Sequence, residues 1–289
     1  MRTMLGRVSF ALALVALSGA LTACGVKSTV DPVAAAATKS QQAGGFSAKT
    51  SVTVSADGQR FTMTGSGFFG DGKGQMELDM SDLLSRTGAP AGIDSTIKAL
   101  YLTENGDPVM YMQLGFLSQL MPGGKSWVRV DLAKIGKAAG IDFNQLLSGA
   151  NQSPSDMLSM LRANGEFSEV GTDIVDGVET THYNGTVDLE KAAAAKGVGA
   201  DAIQRLLELG APTQYPVDVW VDKDDYVRQY KTSYDMHVDG KTMSLSMTMG
   251  MSDYGTPVVV SAPPSDQVFD VTDLASKGMA SQLNQGSPS

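Results

Sequence analysis

The stretch Lys241-Thr242-Met243-Ser244-Leu245-Ser246-Met247-Thr248-Met249-Gly250-Met251-Ser252 decides the fold. Met243, Leu245, Met247, Met249 and Met251 alternate without interruption with small or hydroxylated residues. A period of two belongs to a β-strand with one apolar and one polar face. The preceding run, Tyr226–Val238, is joined to it through Asp239-Gly240. Asp-Gly between two such runs signals a hairpin, so Tyr230, Tyr234 and Met236 belong to the antiparallel partner.

The same pattern recurs outward along the chain. Phe46–Ala56, Gln59–Phe69 and Gly74–Met80 are separated by Asp57-Gly58 and Asp71-Gly72, an antiparallel meander that brings Phe61, Met63, Met76, Leu78 and Met80. Ile97–Thr103 and Asp107–Leu114 flank Asn105-Gly106 and add Met110, Met112 and Leu114. Further strands are expected at Lys125–Asp131, Gly165–Ile174, Val178–Val187, Tyr215–Asp222 and Pro257–Ser261. Helical spacing interrupts them at Leu132–Ala139, Phe143–Leu147, Pro154–Ala163, Asp188–Ala195 and Ala200–Leu209. The class is therefore α+β: a large antiparallel sheet with helices gathered on one face.

Composition narrows the function. The chain has 289 residues, 31 acidic against 22 basic, and a formal charge of −9. A chain this acidic is a poor partner for nucleic acid. Hydrophobic residues make up 42% and charged residues 18%, a globular balance. There is one Cys and there are two His, which excludes an internal disulfide and argues against a zinc site.

The lone Cys has a particular place. Arg2 and Arg7 precede an apolar run, Val8–Ala20, too short to span a bilayer and suited to a signal peptide. Leu21-Thr22-Ala23-Cys24-Gly25 then resembles the bacterial lipobox. That resemblance implies cleavage after residue 23, diacylglycerol on Cys24 and acylation of its new amino group. Losing Arg2 and Arg7 makes the mature chain more acidic, so lipid rather than charge must anchor it, on the extracytoplasmic face of the cell membrane. Residues 24–45, rich in Ala, Ser, Thr, Gln and Gly and without a β-period, read as a flexible tether with frayed helix at Val33–Gln42. Residues 46–272 form the folded domain and 273–289 a polar tail.

Catalytic patterns are missing. There is no Gly-x-Ser-x-Gly elbow, and Gly65-Ser66-Gly67 lacks the Lys and helix of a phosphate loop. Gly65 and Gly67 instead leave room or mark a bend in their strand. Asp222, Asp224 and Asp225 lack the Gly and terminal Glu of a calcium loop and read as a solvated turn. His182 reads as a structural strand residue, His237 as solvent-facing, and Trp127 and Trp220 as packing residues. The chain is read as non-enzymatic, with no cofactor and no metal.

Four segments carry a family resemblance: Gly177-Val178-Glu179-Thr180-Thr181-His182-Tyr183-Asn184-Gly185-Thr186-Val187-Asp188, Tyr215-Pro216-Val217-Asp218-Val219-Trp220-Val221-Asp222, Ser126-Trp127-Val128-Arg129-Val130-Asp131, and Met251–Val258 followed by Ala262-Pro263-Pro264. Together they resemble the actinobacterial LppX/LprG-like lipoproteins, relatives by fold of the LolA and LolB carriers. The resemblance implies a curved half-barrel with helices on its concave side and a cavity for lipid acyl chains between them. It implies a lipid or lipidated glycan as ligand and an envelope lipid transporter as a further partner. The cavity candidates are the apolar strand positions named above, from Phe61 to Met249, with Leu132–Ala163 as the lid. A filled-core lipoprotein acting as an interaction or sensor module is the alternative, since periodicity does not separate a filled core from a cavity.

Overall fold

Short aspartate–glycine turns determine the course of the chain. Asp57, Asp71, Asn105 and Asp176 take φ between 50° and 54°, and the glycine after each is also at positive φ. Two such residues in succession make the tight hairpin turn whose twist suits the flanking strands. The computed structural model of the chain describes residues 31–86, 92–115, 121–138, 161, 167–191, 204, 207, 210–238 and 241–277.

The N-terminal half is a meander: β1 (Phe46–Ala56), β2 (Gln59–Gly70), β3 (Lys73–Asp79), β4 (Thr96–Glu104), β5 (Asp107–Leu114) and β6 (Trp127–Asp131). The C-terminal half is another: β7 (Phe167–Val175), β8 (Val178–Asp188), β9 (Gln214–Asp222), β10 (Val227–Val238) and β11 (Lys241–Ser252). The strand order is β12-β6-β5-β4-β3-β2-β1-β11-β10-β9-β8-β7. The two meanders therefore join where β1 pairs with β11, from Ser47 opposite Ser252 to Ala56 opposite Met243. The result is one open, curved half-barrel sheet, as the α+β reading expects.

The strand expected at Pro257–Ser261 does not form. After β11 the chain turns through Asp253 and Gly255, both at positive φ, and Gly255 donates to the Gly45 carbonyl. Residues 256–264 then cross the far side of the sheet, where Val258 and Val260 pack against Leu100, Leu102, Val109 and Tyr111. This segment ends in a short strand that sequence did not signal, β12 (Val268–Asp270), parallel to β6. Arg129 of β6 holds it, donating to Asp270 at 2.8 Å and to Glu104 at 2.9 Å. Residues 272–277 are helical, so the C-terminal polar tail begins later than residue 273.

The stretch read as tether is divided. Pro32–Gln42 is a helix, α1, with Val33, Ala36, Ala37 and Ser40 between 0% and 1% exposed. Asp31 caps it, accepting the Ala34 N–H at 3.0 Å, and Pro at the first position fits the unpaired first turn. The other Asp31 oxygen accepts the Phe167 N–H at 3.2 Å, while Ser40 accepts the Val227 N–H at 3.0 Å. Small residues on one stripe let α1 lie close on the sheet. The helix itself was expected at Val33–Gln42; its burial on the sheet was not, because alanine-rich, weakly amphipathic sequence resembles linker.

Two more helices are described. α2 (Ser81–Arg86) follows β3, and α3 (Leu132–Ala138) confirms the start of the first expected helical segment. Beyond the point where β3 stops, β2 has a free edge, and the Asp82 carboxylate of α2 accepts the Thr62 N–H there at 2.8 Å. α2 thus serves the sheet edge rather than the concave face. Phe143–Leu147, most of Pro154–Ala163, and parts of Asp188–Ala195 and Ala200–Leu209 lie outside the described residues. Leu161 is helical and fully buried in the core.

Asp31→Ala removes both the helix cap and the Phe167 bond. We expect a loss of about 1–2 kcal/mol, read as a lower urea midpoint at unchanged slope. An unchanged midpoint would show that α1 is not part of the cooperative unit.

Candidate functional site

Register assigns the side chains to faces. Val52 stands opposite both Met247 and Met63, and Val54 opposite both Leu245 and Phe61. Across β10, Tyr230 stands opposite Met249, Tyr234 opposite Leu245, and Met236 opposite Met243. Across the other half, Met76 pairs with Ala99, Ala99 with Met112, and Ile97 with both Leu78 and Leu114. All the strand positions expected from sequence therefore share one face, the inner one, to which α1 docks. Met80 is the exception: it lies past the end of β3, where its N–H bonds the Ser95 carbonyl.

This face is divided along the strand direction. One end is closed core: Phe46, Ala48, Phe69, Tyr230, Met249 and Met251 are 0–6% exposed and cluster with α1, Leu161 and the valines of β8 and β9. At the other end the same face is half-buried at Val52, Val54, Phe61, Met63, Tyr234, Met236, Met243, Leu245 and Met247. Met76, Leu78, Met110, Met112 and Leu114 are half-buried too. Tyr230 and Met249 are thus core residues, while the other strand candidates retain accessible surface.

Polar groups are sparse on this face and mostly phenolic. The Tyr215 and Tyr234 rings lie 5.4 Å apart, beside Tyr230. Burial pushes the Tyr215 phenol up to about 12, with the neighbouring Tyr234 adding to it. Burial likewise raises Tyr230 and Tyr234. These phenols stay neutral hydrogen-bonding groups at any physiological pH.

Gly65 and Gly67 do not leave room. A Cβ at Gly67 would lie 2.1 Å from the Gln75 carbonyl oxygen, and one at Gly65 would lie 2.6 Å from Leu78 Cδ2. Here β3 folds closely over β2, so the glycines mark a crease that bends the sheet inward.

The outer face is hydroxylated, as the alternation requires. Thr53 and Thr62 hydroxyls are 3.0 Å apart, and Ser244 donates to Asp235 at 2.6 Å. Both tryptophans lie on this side. Trp127 packs with Val258 and Val268 in the second apolar cluster. Trp220 stacks on His182 at 4.3 Å and donates to Asp173 at 2.8 Å. His182 Nε2 lies 2.8 Å from Asp218, which also accepts from Asn184. Carboxylates, an amide and an indole surround this imidazole, so it ties β7, β8 and β9 together. Asp222 is buried, accepts the Asp224 and Tyr226 N–H groups, and pairs with Arg228 at 2.5 Å. Its carboxylate therefore organises the β9–β10 turn. Among the described residues no group of three metal-ligating side chains converges, and no helix is long and apolar enough to cross a membrane.

No family model matches the chain. The uncharacterized 31.2 kDa protein in the rplA-rplJ intergenic region of Streptomyces griseus is 33% identical over 270 residues, covering 88% of this chain and 83% of that relative. A putative lipoprotein of Streptomyces coelicolor is 26% identical over 189 residues, 64% of this chain and 55% of its own length. Among solved structures, LprF of Mycobacterium bovis overlaps at a TM-score of 0.40 with 15% identity, covering 81% of this chain and 96% of its own. LppX of Mycobacterium tuberculosis overlaps at 0.33 with 16% identity, covering 80% and 100%. Overlaps this loose leave the fold to rest on the strand pairing described above.

The buried phenols give a pH dependence with a definite sign. Tyr215 holds its proton more tightly folded, at about 12, than unfolded, near 10. Its contribution to stability is complete below pH 10 and is lost as pH rises toward 12. Urea midpoints should therefore fall over that interval, and less so in Tyr215→Phe. In a phenolate absorbance titration of the folded protein, the trace missing from Tyr215→Phe should centre well above pH 10. A missing trace centred at 10 would place that phenol in water.

Proposed function

The chain belongs to the actinobacterial family of the Streptomyces griseus 31.2 kDa protein, and from that premise we propose that it is an acyl-anchored envelope lipoprotein that holds lipid acyl chains against its inner sheet face and carries or presents them. The observation that carries this reading is the division of the inner face. One apolar surface runs continuously from closed core under α1 to a half-exposed end rich in Met, Leu and Phe. Acyl chains are long, flexible and chemically uniform, and a methionine-lined surface accommodates variable shapes better than β-branched residues do. Each CH₂ removed from water contributes about 0.8 kcal/mol. Neutral phenols at Tyr215 and Tyr234 supply hydrogen-bonding groups where the polar end of a lipid meets the apolar surface.

Cys24 is the proposed anchor, with residues 1–23 removed as signal. Acylation at both the thiol and the amino group gives the two or more chains that stable anchoring requires. The proposed site is outside the cytoplasmic membrane, where an envelope lipid transporter is the proposed source or recipient of the ligand.

A second reading has its own observation. β7 is an open sheet edge on which Val170 and Ile174 are 60% and 77% exposed. Exposed apolar edge strands pair with extended segments of other proteins, so an interaction module is the alternative.

The test is lipid mass spectrometry on organic extracts of purified Cys24→Ser protein without the signal, paired with uptake of a fluorescent fatty acid. Co-purifying lipid or saturable uptake is expected; absence of both would defeat the reading. Leu245→Trp, at the half-exposed end, should cut uptake several-fold with little change in urea midpoint. Met249→Trp, in the closed end, should instead cost about 1–3 kcal/mol of stability by overpacking. Equal uptake by folded Leu245→Trp and wild-type protein would move the ligand elsewhere.

A further inference from the structure

β7 ends the sheet, paired with β8 on one side and with no strand on the other. Val175 and Val178 flank the two-residue turn Asp176-Gly177, so they exchange both main-chain bonds, and bonded and non-bonded pairs alternate from there along the ladder. The N–H and C=O groups of Ile174 and Thr172 therefore face the open edge.

Val170 is the extra residue of the bulge between Glu169 and Gly171, so regular pairing on this edge is confined to Gly171–Val175. Ile174 within that stretch and Val170 beside it are mostly exposed. Natural edge strands are commonly blunted by lysine, whose charge and bulk repel an incoming strand. β7 has none, and its charges are all of the opposite sign.

That sign decides what fits. The β7–β8 hairpin, Phe167–Asp188, holds Glu169, Asp173, Asp176, Glu179 and Asp188 and has neither Lys nor Arg. Asp188 lies at the far end, where it accepts the Lys191 N–H. Glu169, Asp176 and Glu179 are exposed. Asp173 accepts from Trp220 and lies 3.6 Å from His182 Nδ1, yet its carboxylate stays half exposed. The basic groups on the neighbouring β9–β10 turn face other acids: Arg228 pairs with Asp222, Lys223 with Asp224, and Lys39 of α1 with Asp225. Tyr183 of β8 senses the uncompensated charge: burial raises its phenol, and Glu169, Asp31 and Asp225 raise it further.

We propose that Gly171–Val175 receives an extended segment of a partner protein, one that alternates Lys or Arg with apolar residues and adds to β7 as a further strand. The main-chain groups of Thr172 and Ile174 bond it, an apolar side chain covers Ile174, and a basic one stands against Asp173. A second copy of this chain is the poorer occupant, because β7 against β7 sets two hairpins of like charge together. The proposal gives a partner class to the open-edge reading above, on which it rests, and does not depend on lipid holding.

The probe is a short synthetic peptide that alternates Lys with Val, added to the Cys24→Ser protein without the signal. Fluorescence anisotropy reads its binding, and amide hydrogen exchange followed by NMR reads its place. Saturable binding is expected, weakening as salt is raised, with slowed exchange at the Thr172 and Ile174 N–H groups. The same peptide with Glu for Lys should not bind. Ile174→Lys, at an exposed position, should keep the urea midpoint and lower peptide affinity at least about tenfold. Val259→Lys, at an exposed apolar position elsewhere, should leave affinity unchanged. Equal binding of the Lys and Glu peptides, unchanged affinity in folded Ile174→Lys, or binding without slowed exchange at 172 and 174 overturns the proposal. A dimer in which those two amides are already slow without peptide assigns the edge to a second copy and overturns it too. Lipid held by protein that binds no peptide keeps the lipid reading and overturns this one; peptide bound at the edge of protein that holds no lipid does the reverse.

Discussion

Everything else in this molecule depends on the ladder between β1 and β11. Ten residue pairs, from Ser47–Ser252 to Ala56–Met243, join two meanders that are otherwise separate local structures. Each meander is built from neighbouring hairpins and carries an apolar and a polar face of its own. Only this long-range pairing brings the two apolar faces onto the same side, because a slip of one residue would turn every methionine of β11 outward. The register also sets Val52 and Val54 between Met247 and Met63 and between Leu245 and Phe61, which makes the inner surface continuous across the join.

Once the faces are aligned, closure is selective. α1 covers one end of the inner face with alanines and a valine, and residues 256–264 cover part of the outer face over β4 and β5. These two covers lie on opposite sides of one sheet, so the molecule has two apolar clusters rather than one. The glycine crease at Gly65 and Gly67 bends β3 toward the inner side and gives the sheet its curvature without closing it. An open sheet keeps two edges: β12 is only three residues long, while β7 carries a register shift between Glu169 and Gly171, both devices that limit edge pairing.

The hairpins were legible because they are local. An Asp-Gly or Asn-Gly pair between alternating runs states both the turn and the face, and the register of β10 with β11 follows from it. What escaped the sequence was set by distant contacts. α1 reads as a helical stretch of a free tether until Asp31 meets Phe167 and Ser40 meets Val227. Pro257–Ser261 alternates like a strand but has no free neighbour, since β1 already occupies the edge of β11. β12 is too short to show a period and exists because Arg129 and the β6 edge receive it. The apolar positions of the candidate site were readable as one face; which of them are closed was not. Tyr230 and Met249 belong to the buried cluster that includes α1, whereas Tyr234 and Met247, one step along the same face, stay half-buried.

That difference coincides with a change in side-chain chemistry along the face. Besides Phe46, Phe69, Tyr230, Met249 and Met251, the closed end draws on Val33, Val187, Val217, Val219, Val221 and Val227, residues with few rotamers that specify a unique packing. The half-exposed end has only Val52 and Val54 of that kind and draws otherwise on Met63, Met236, Met243, Leu245, Met247 and Phe61, with methionine the commonest. If the whole inner face were simply core, rigid side chains would serve equally at both ends. Concentrating flexible ones where accessible surface remains sacrifices packing specificity at the place where specificity of the protein's own interior matters least, and where a flexible apolar ligand needs a surface that can conform to it.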